Sequence, residues 1–244
     1  MDERTILLAA CGLLVAGIVK GGTGLGYSTC ALPFLVQAVG LKPAMVVVLA
    51  PAIATNLSVA INAGHFRETC RRFYPFYLAT LPGLGLGGLL LTLCDAGVAV
   101  RALGLVLLAY AAFALALPRL RLPEAVGNRL QGVAGLANGI VTGLTGSQVM
   151  PLLPYMMALE LEPDRFVQAV NVSVLLSSVV LAAILVLSDA VDPDWLLLSF
   201  AAILPALAGV RLGTIGRRFI SAAHFRTLVL GVLAAMGVML VLRA

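Results

Sequence analysis

Charge is what this chain has least of: charged residues fill 11% of its 244 positions, where a soluble domain carries about a quarter. A surface with so few charges does not suit a soluble domain. Cysteine is scarce as well. Cys11, Cys30, Cys70 and Cys94 form no CxxC pair, and three of them lie in apolar runs, which argues against a disulfide framework and against thiol-redox chemistry. The two histidines, His65 and His224, have no second histidine or carboxylate at ligand spacing, so no metal site is expected. Catalytic motifs are missing too. The glycines of GGTGLG are not in GxGxxG order, no βαβ pattern surrounds them, and GxxxxGK, GxSxG and HExxH are absent. All eleven acidic residues map to termini, loops or the ends of apolar runs, which leaves no embedded acid/base dyad and no Asp/Glu proton relay. The chain therefore reads as a non-enzyme without a cofactor.

What the chain has in excess is apolar sequence, 61% hydrophobic residues with a mean hydropathy of +1.07. That composition is an integral membrane protein's. At roughly 20 residues per span the chain holds about six to eight spans in one membrane domain, with no room for a soluble one. The net charge of +5 is scattered singly and in pairs at the ends of apolar runs, so it signals topology and not nucleic acid. Leu8-Ala9-Ala10-Cys11 superficially suits lipoprotein processing, but Asp2 and Glu3 spoil a basic leader and no cleaved signal is expected.

Apolar runs fall at about 5–20, 27–39, 43–63, 73–93, 97–117, 130–141, 147–159, 165–188, 194–214 and 224–242. Four are too short to span comfortably. They form two adjacent pairs, each broken by a glycine-rich, hydroxyl-bearing junction: KGGTGLGYST from Lys20, and TGLTGSQVMP from Thr142. The junctions are copies. Gly17-Ile18-Val19 matches Gly139-Ile140-Val141, and Gly21, Thr23 and Gly24 match Gly143, Thr145 and Gly146. Downstream, Pro33 pairs with Pro154, Pro43 with Pro163, Asn56 with Asn171 and Pro82 with Pro205. Two repeats follow, about 5–117 and 128–242.

Loop charge orients them. Arg67, Arg71 and Arg72 follow the first copy's long helix, whereas Asp189, Asp192 and Asp194 follow the second's. The next loops reverse the contrast, with Asp95 and Arg101 against Arg217, Arg218 and Arg226. Arg119, Arg121 and Arg129 in the central connection group with the cytoplasmic set, and both termini are expected in the periplasm. The expected fold is an all-α membrane protein of two inverted repeats, each with a broken or re-entrant helix pair plus three full spans.

Non-helical backbone survives in a bilayer where it lines a polar cavity, and a helix that restarts there presents free N–H groups and a positive dipole end to an anion. Candidate ligands at the first break are Lys20, Gly22, Thr23, Gly24, Gly26, Tyr27 and Ser28; at the second, Thr145, Gly146, Ser147 and Gln148. Lys20 has two readings, a functional charge or a lysine snorkelling from a short helix. Its counterpart in the second copy is Thr142. Asn56 and Asn171 inside the long helices read equally as ligands or as interhelical glue, and Gln168 is a weaker candidate. The every-fourth glycines Gly17 and Gly21, and Gly135, Gly139 and Gly143, read as close-packing faces. Arg211 reads as a topology anchor and Trp195 as part of an interfacial belt.

With its paired GIVKGGTGLGYSTCALPFL and GIVTGLTGSQVMPLLPYM segments and the duplicated Pro and Asn positions, the chain resembles the sulfite exporter TauE/SafE family across both halves. The resemblance implies a permease of the bacterial inner membrane for sulfite or small organosulfonates such as sulfoacetate or toluenesulfonate. The second copy carries Gly146-Ser147-Gln148 where the family commonly has further glycines, which implies side-chain contacts there and room for a larger sulfonate. Expected partners are a small anion and the lipid bilayer, not nucleic acid, with a homodimer left open. An anion channel of the same build and a non-transporting assembly protein stand as alternatives.

Overall fold

A computed structural model describes residues 3–62, 64–116, 121–187, 192–216 and 222–243. Among these the chain is helical without a strand: α1 Glu3–Thr23, α2 Tyr27–Val39, α3 Leu41–Asn62, α4 Phe66–Leu93, α5 Ala96–Ala116, α6 Glu124–Thr145, α7 Leu152–Ala158, α8 Pro163–Leu187, α9 Pro193–Ala201, α10 Ile203–Gly216 and α11 Ala222–Arg243. Six stretches are long and apolar enough to cross a bilayer: Ile6–Thr23, Leu41–Ile61, Phe66–Leu93, Ala96–Ala116, Pro163–Leu187 and Pro193–Gly216. The protein is multi-pass. The last of these stretches combines α9 and α10, which part at Ala202 just before Pro205; a proline has no N–H to return to the carbonyl one turn back. Asp192 caps α9 by accepting from the Asp194 N–H at 2.9 Å, with Pro193 at the first helical position.

Two of the four short runs are longer as helices than their hydropathy indicates. α1 has 21 residues and α6 has 22. Lys20, Gly21, Gly22 and Thr23 are the last residues of α1, and the chain breaks only after them, with Gly24 and Gly26 at left-handed φ of 78° and 79°. A helical glycine costs about 1 kcal/mol relative to alanine. Close packing offsets that cost here. A Cβ on Gly17 would strike the Ala206 carbonyl oxygen, and one on Gly21 would strike that of Val210 and lie 2.9 Å from the Thr214 nitrogen. The same construction recurs where Gly135, Gly139 and Gly143 of α6 press on Phe76, Thr80 and Leu84 of α4, with the Gly139 Cβ position 2.8 Å from the Gly83 Cα.

These contacts climb in step along both chains, so α1 runs parallel to α10 and α6 parallel to α4. Each repeat's first helix thus packs on a helix of the other repeat. α5 and α11 cross differently. A Cβ on Gly104 would reach the Gly237 oxygen and the Val241 nitrogen, while one on Gly237 would reach the Gly104 oxygen and the Leu108 side chain, the pattern of an antiparallel pair.

Two apolar cores flank the breaks. One gathers Ala31, Leu32, Leu35, Met45 and Val47 of α2 and α3 with Leu103 and Leu107 of α5. The other gathers Phe76 and Tyr77 of α4, Leu152, Tyr155 and Met156 around α7, and Ala169 and Val170 of α8. Its aromatic centre is the stacked Phe76 and Tyr155 pair, with centroids 5.5 Å apart. The hydroxyls find carbonyls, Tyr155 donating to Gly127 at 2.9 Å and Tyr77 to Ala169 at 3.1 Å.

One end of the molecule carries the ion pairs Arg72–Glu124, Arg121–Glu160, Arg165–Glu68 and Arg165–Glu162, all partly exposed and of small energetic weight. Asp2, Arg119, Asp189, Arg217 and Arg218 lie outside the described residues, as do the side chains of Glu3, His224 and Arg226.

Candidate anion site

The two junctions fold alike at first. The Thr23 hydroxyl donates to the Val19 carbonyl at 2.8 Å and accepts from the Leu25 N–H at 3.1 Å. Thr145 does the same with Val141 at 2.7 Å and the Ser147 N–H at 3.2 Å. Gly24 N–H returns to the Lys20 carbonyl and Gly146 N–H to that of Thr142, closing both helices on left-handed glycines. Thr23 and Thr145, expected as ligands, thus act as turn-forming hydroxyls.

Beyond that point the copies differ. α2 starts at once, after Gly26, and runs 13 residues back along α1; a Cβ on Gly12 would meet the Phe34 side chain. Gly26 brings no side chain to cap it, and the N–H groups of Tyr27, Ser28 and Thr29, the first turn of α2, have no intrahelical partner. The second break does not restart at Ser147. It stays non-helical through Pro151, and α7 has only seven residues. Of the two helix N-termini expected at the breaks, the second opens only at Leu152, on a helix of seven residues. From the second side come the side chains of Ser147 and Gln148.

Between the breaks lies a small cavity of about 20 Å³, room for one water, bounded by Gly26, Tyr27, Ser28, Thr29, Asn56 and Gln148 and by the apolar Leu25, Val149, Leu153, Val170 and Val174. Two side-chain atoms of its wall are buried without a partner, the Tyr27 hydroxyl and the Gln148 Oε1. The Gln148 Nε2 is spoken for, donating to Ser178 Oγ at 3.1 Å. Thr29 and Ser147 hydroxyls stand 3.5 Å apart across the breaks.

Lys20 lies behind this wall. Only 2% of it is exposed, so the snorkelling reading is excluded. Its Nζ donates to Asn56 Oδ1 at 2.7 Å and to Asn171 Oδ1 at 2.9 Å. The two asparagines, matched between the repeats, converge on one ammonium. Their amide nitrogens hold their own helices, Asn56 donating to Ala52 at 2.6 Å and Asn171 to Val167 at 2.8 Å. Asn56 faces the cavity on one side and Lys20 on the other.

Of the thirteen candidate residues, Gly26, Tyr27, Ser28, Asn56 and Gln148 line the cavity. Lys20 and Asn171 stand one residue behind it. Gly22 and Thr23 belong to the end of α1, and Gly24 packs toward Val167. Gly146 lies against Met45 and Leu32, where a Cβ would come 2.8 Å from the Met45 side chain. Ser147 touches Thr29 but not the cavity. Sequence reasoning passed over Thr29 and Ser178; Thr29 adjoins Ser28 and completes the first turn of α2, whereas nothing in the sequence marks Ser178. Gln168 is fully buried with both amide atoms unpartnered, and so is Asn138.

A small cavity with a few polar side chains in its wall, at a helix break within an all-helical, multi-pass protein, fits a membrane transport protein. The chain belongs to the sulfite exporter TauE/SafE family, whose model matches residues 8–240. No curated protein and no solved structure matches it.

Proposed function

We propose that the protein is a secondary transporter for a small sulfur oxyanion or organosulfonate, of the class of sulfite, sulfoacetate and toluenesulfonate, in the bacterial inner membrane. The observation that carries this reading is the cavity at the uncapped N-terminus of α2, with Lys20 held one amide away. N–H groups and a helix dipole suit an oxyanion, and the buried Lys20 amine adds a positive charge when it is protonated. Alternating access is supported by the cavity's size. A four-heavy-atom oxyanion does not fit in about 20 Å³, so loading requires the wall to open.

The moving parts in this reading are two inverted repeats of one membrane domain, with both termini in the periplasm. The duplicated helix ends at Gly24 and Gly146, the exchange of α1 and α6 onto the opposite repeat, and the antiparallel α5 and α11 support inversion. Purified protein in proteoliposomes should exchange labelled sulfite saturably and with trans-stimulation. Single-channel currents under the same conditions would contradict a carrier.

A further inference from the structure

Among the described residues Lys20 is the sole buried member of the Asp, Glu, Lys, Arg and His set. Its Nζ donates to two neutral amide oxygens, at 2.7 and 2.9 Å, and no carboxylate pairs with it among the described residues. A buried charge solvated by amides alone is under-compensated. One negative charge in the cavity, across Asn56, balances it. Two leave an excess negative charge in a low-dielectric space, where Coulomb energies are several-fold larger than in water.

A second observation bears on the ligand's protons. Gln148 lines the cavity, and its Oε1 is buried without a partner while its Nε2 is used by Ser178. A carbonyl oxygen only accepts. A bare oxyanion oxygen turned toward it offers it nothing and is repelled, and a methyl group turned toward it is tolerated; a protonated oxyanion donates to it, with its other oxygens left for the Tyr27 hydroxyl and the free N–H groups of α2.

We propose that the cavity selects monoanions over dianions, and that sulfite binds it as hydrogensulfite, with its hydrogen directed to Gln148. The inference rests on the transporter reading above and names the ionic form of its substrate. It also gives a carrier without a membrane carboxylate a way to move a proton: the substrate brings it. The titratable groups around this site are Lys20 of α1 and Tyr27 and Cys30 of α2. Lys42 of α3 and Arg211 of α10 are exposed, and Asp164 and Arg165 occupy the distant first turn of α8, Arg165 paired with Glu68 and Glu162.

The test is equilibrium binding to the purified, detergent-solubilised protein by calorimetry, with sulfite, methanesulfonate, sulfate and thiosulfate over a pH series spanning sulfite's second ionisation. Methanesulfonate should bind with an affinity independent of pH, and sulfate and thiosulfate at least about tenfold more weakly. Above the second ionisation the apparent affinity for total sulfite should fall about tenfold per pH unit, as the hydrogensulfite fraction falls. Titration of Lys20 would instead weaken methanesulfonate and sulfite together. Gln148→Met should weaken sulfite and leave methanesulfonate unchanged. Lys20→Met should lose both, and Lys20→Arg should retain the preference for monoanions. Sulfate binding as tightly as methanesulfonate, or sulfite affinity rising with pH, would overturn the inference while leaving anion transport standing. Failure of all four anions to bind would remove the transporter reading itself.

Discussion

Tyr27 separates folding from function at the level of one atom. Its ring is buried in the core beside α2, yet its hydroxyl has no partner. Removing an unsatisfied buried hydroxyl is neutral or stabilising, whereas a hydrogen bond to a charged ligand contributes about 1.5–3 kcal/mol. Tyr27→Phe should therefore leave the apparent Tm unchanged or raised and weaken sulfite binding roughly 10- to 100-fold. An unchanged affinity would show that the hydroxyl does not meet the anion. The Lys20, Asn56 and Asn171 cluster behaves oppositely, because both amide oxygens depend on the ammonium. Its existence was partly legible. Three polar residues in apolar surroundings, two of them at matched positions, stand out in the sequence; that they would meet one another could not be read, since the contacts span 36 and 151 residues of chain. Thr23 and Thr145 use their hydroxyls locally for a physical reason: a threonine at a helix end has the backbone itself as its nearest acceptor and donor.

Glycines decide how the elements meet. The break was legible as a cluster of glycines, but its position was not, because Gly21 and Gly22 look like helix breakers and are helical. Gly21, like Gly17 one turn before it, presses on another backbone, and only the structure reveals that α10 comes close enough to require it. The same holds for α6 on α4. A Cβ at Gly139 would collide with the Thr80 oxygen and come 2.7 Å from the Leu84 nitrogen, so Gly139→Ala must push two helices apart, at an overpacking cost of about 1–3 kcal/mol. Gly132, on the same helix, has open space around its Cβ position. Gly132→Ala should be neutral or stabilising by up to about 1 kcal/mol. Thermal unfolding of the two variants in one detergent checks this, and equal Tm values would deny the close helix contact. The shortness of α7 was hidden for a different reason: an apolar run shows that a segment is buried but not that it is helical.

For the molecule as a whole, loop charge and helix direction support the same arrangement. The arginine-bearing end at Arg67, Arg71 and Arg72 should face the cytoplasm, and the acidic loop at Asp192 and Asp194 the periplasm. Single cysteines placed at Arg71 and Asp194 in a cysteine-free background should be labelled from opposite sides of the inner membrane; labelling from one side would refute the inverted repeats. Composition made the membrane class legible, since it is a property of the whole chain. The closure of the cavity was not, because it depends on how α2, α3, α8 and the 146–151 stretch pack together.

The account's central claim is that the two breaks part to admit the anion and close over it. Thr29 and Ser147 face each other across them with their hydroxyls 3.5 Å apart, within reach of a disulfide once both are cysteine. The decisive measurement is trans-stimulated exchange of labelled sulfite in proteoliposomes carrying Thr29→Cys with Ser147→Cys and no other cysteine. Exchange should stop on oxidation and return on reduction. Exchange that continues at full rate with the cross-link formed would contradict the account.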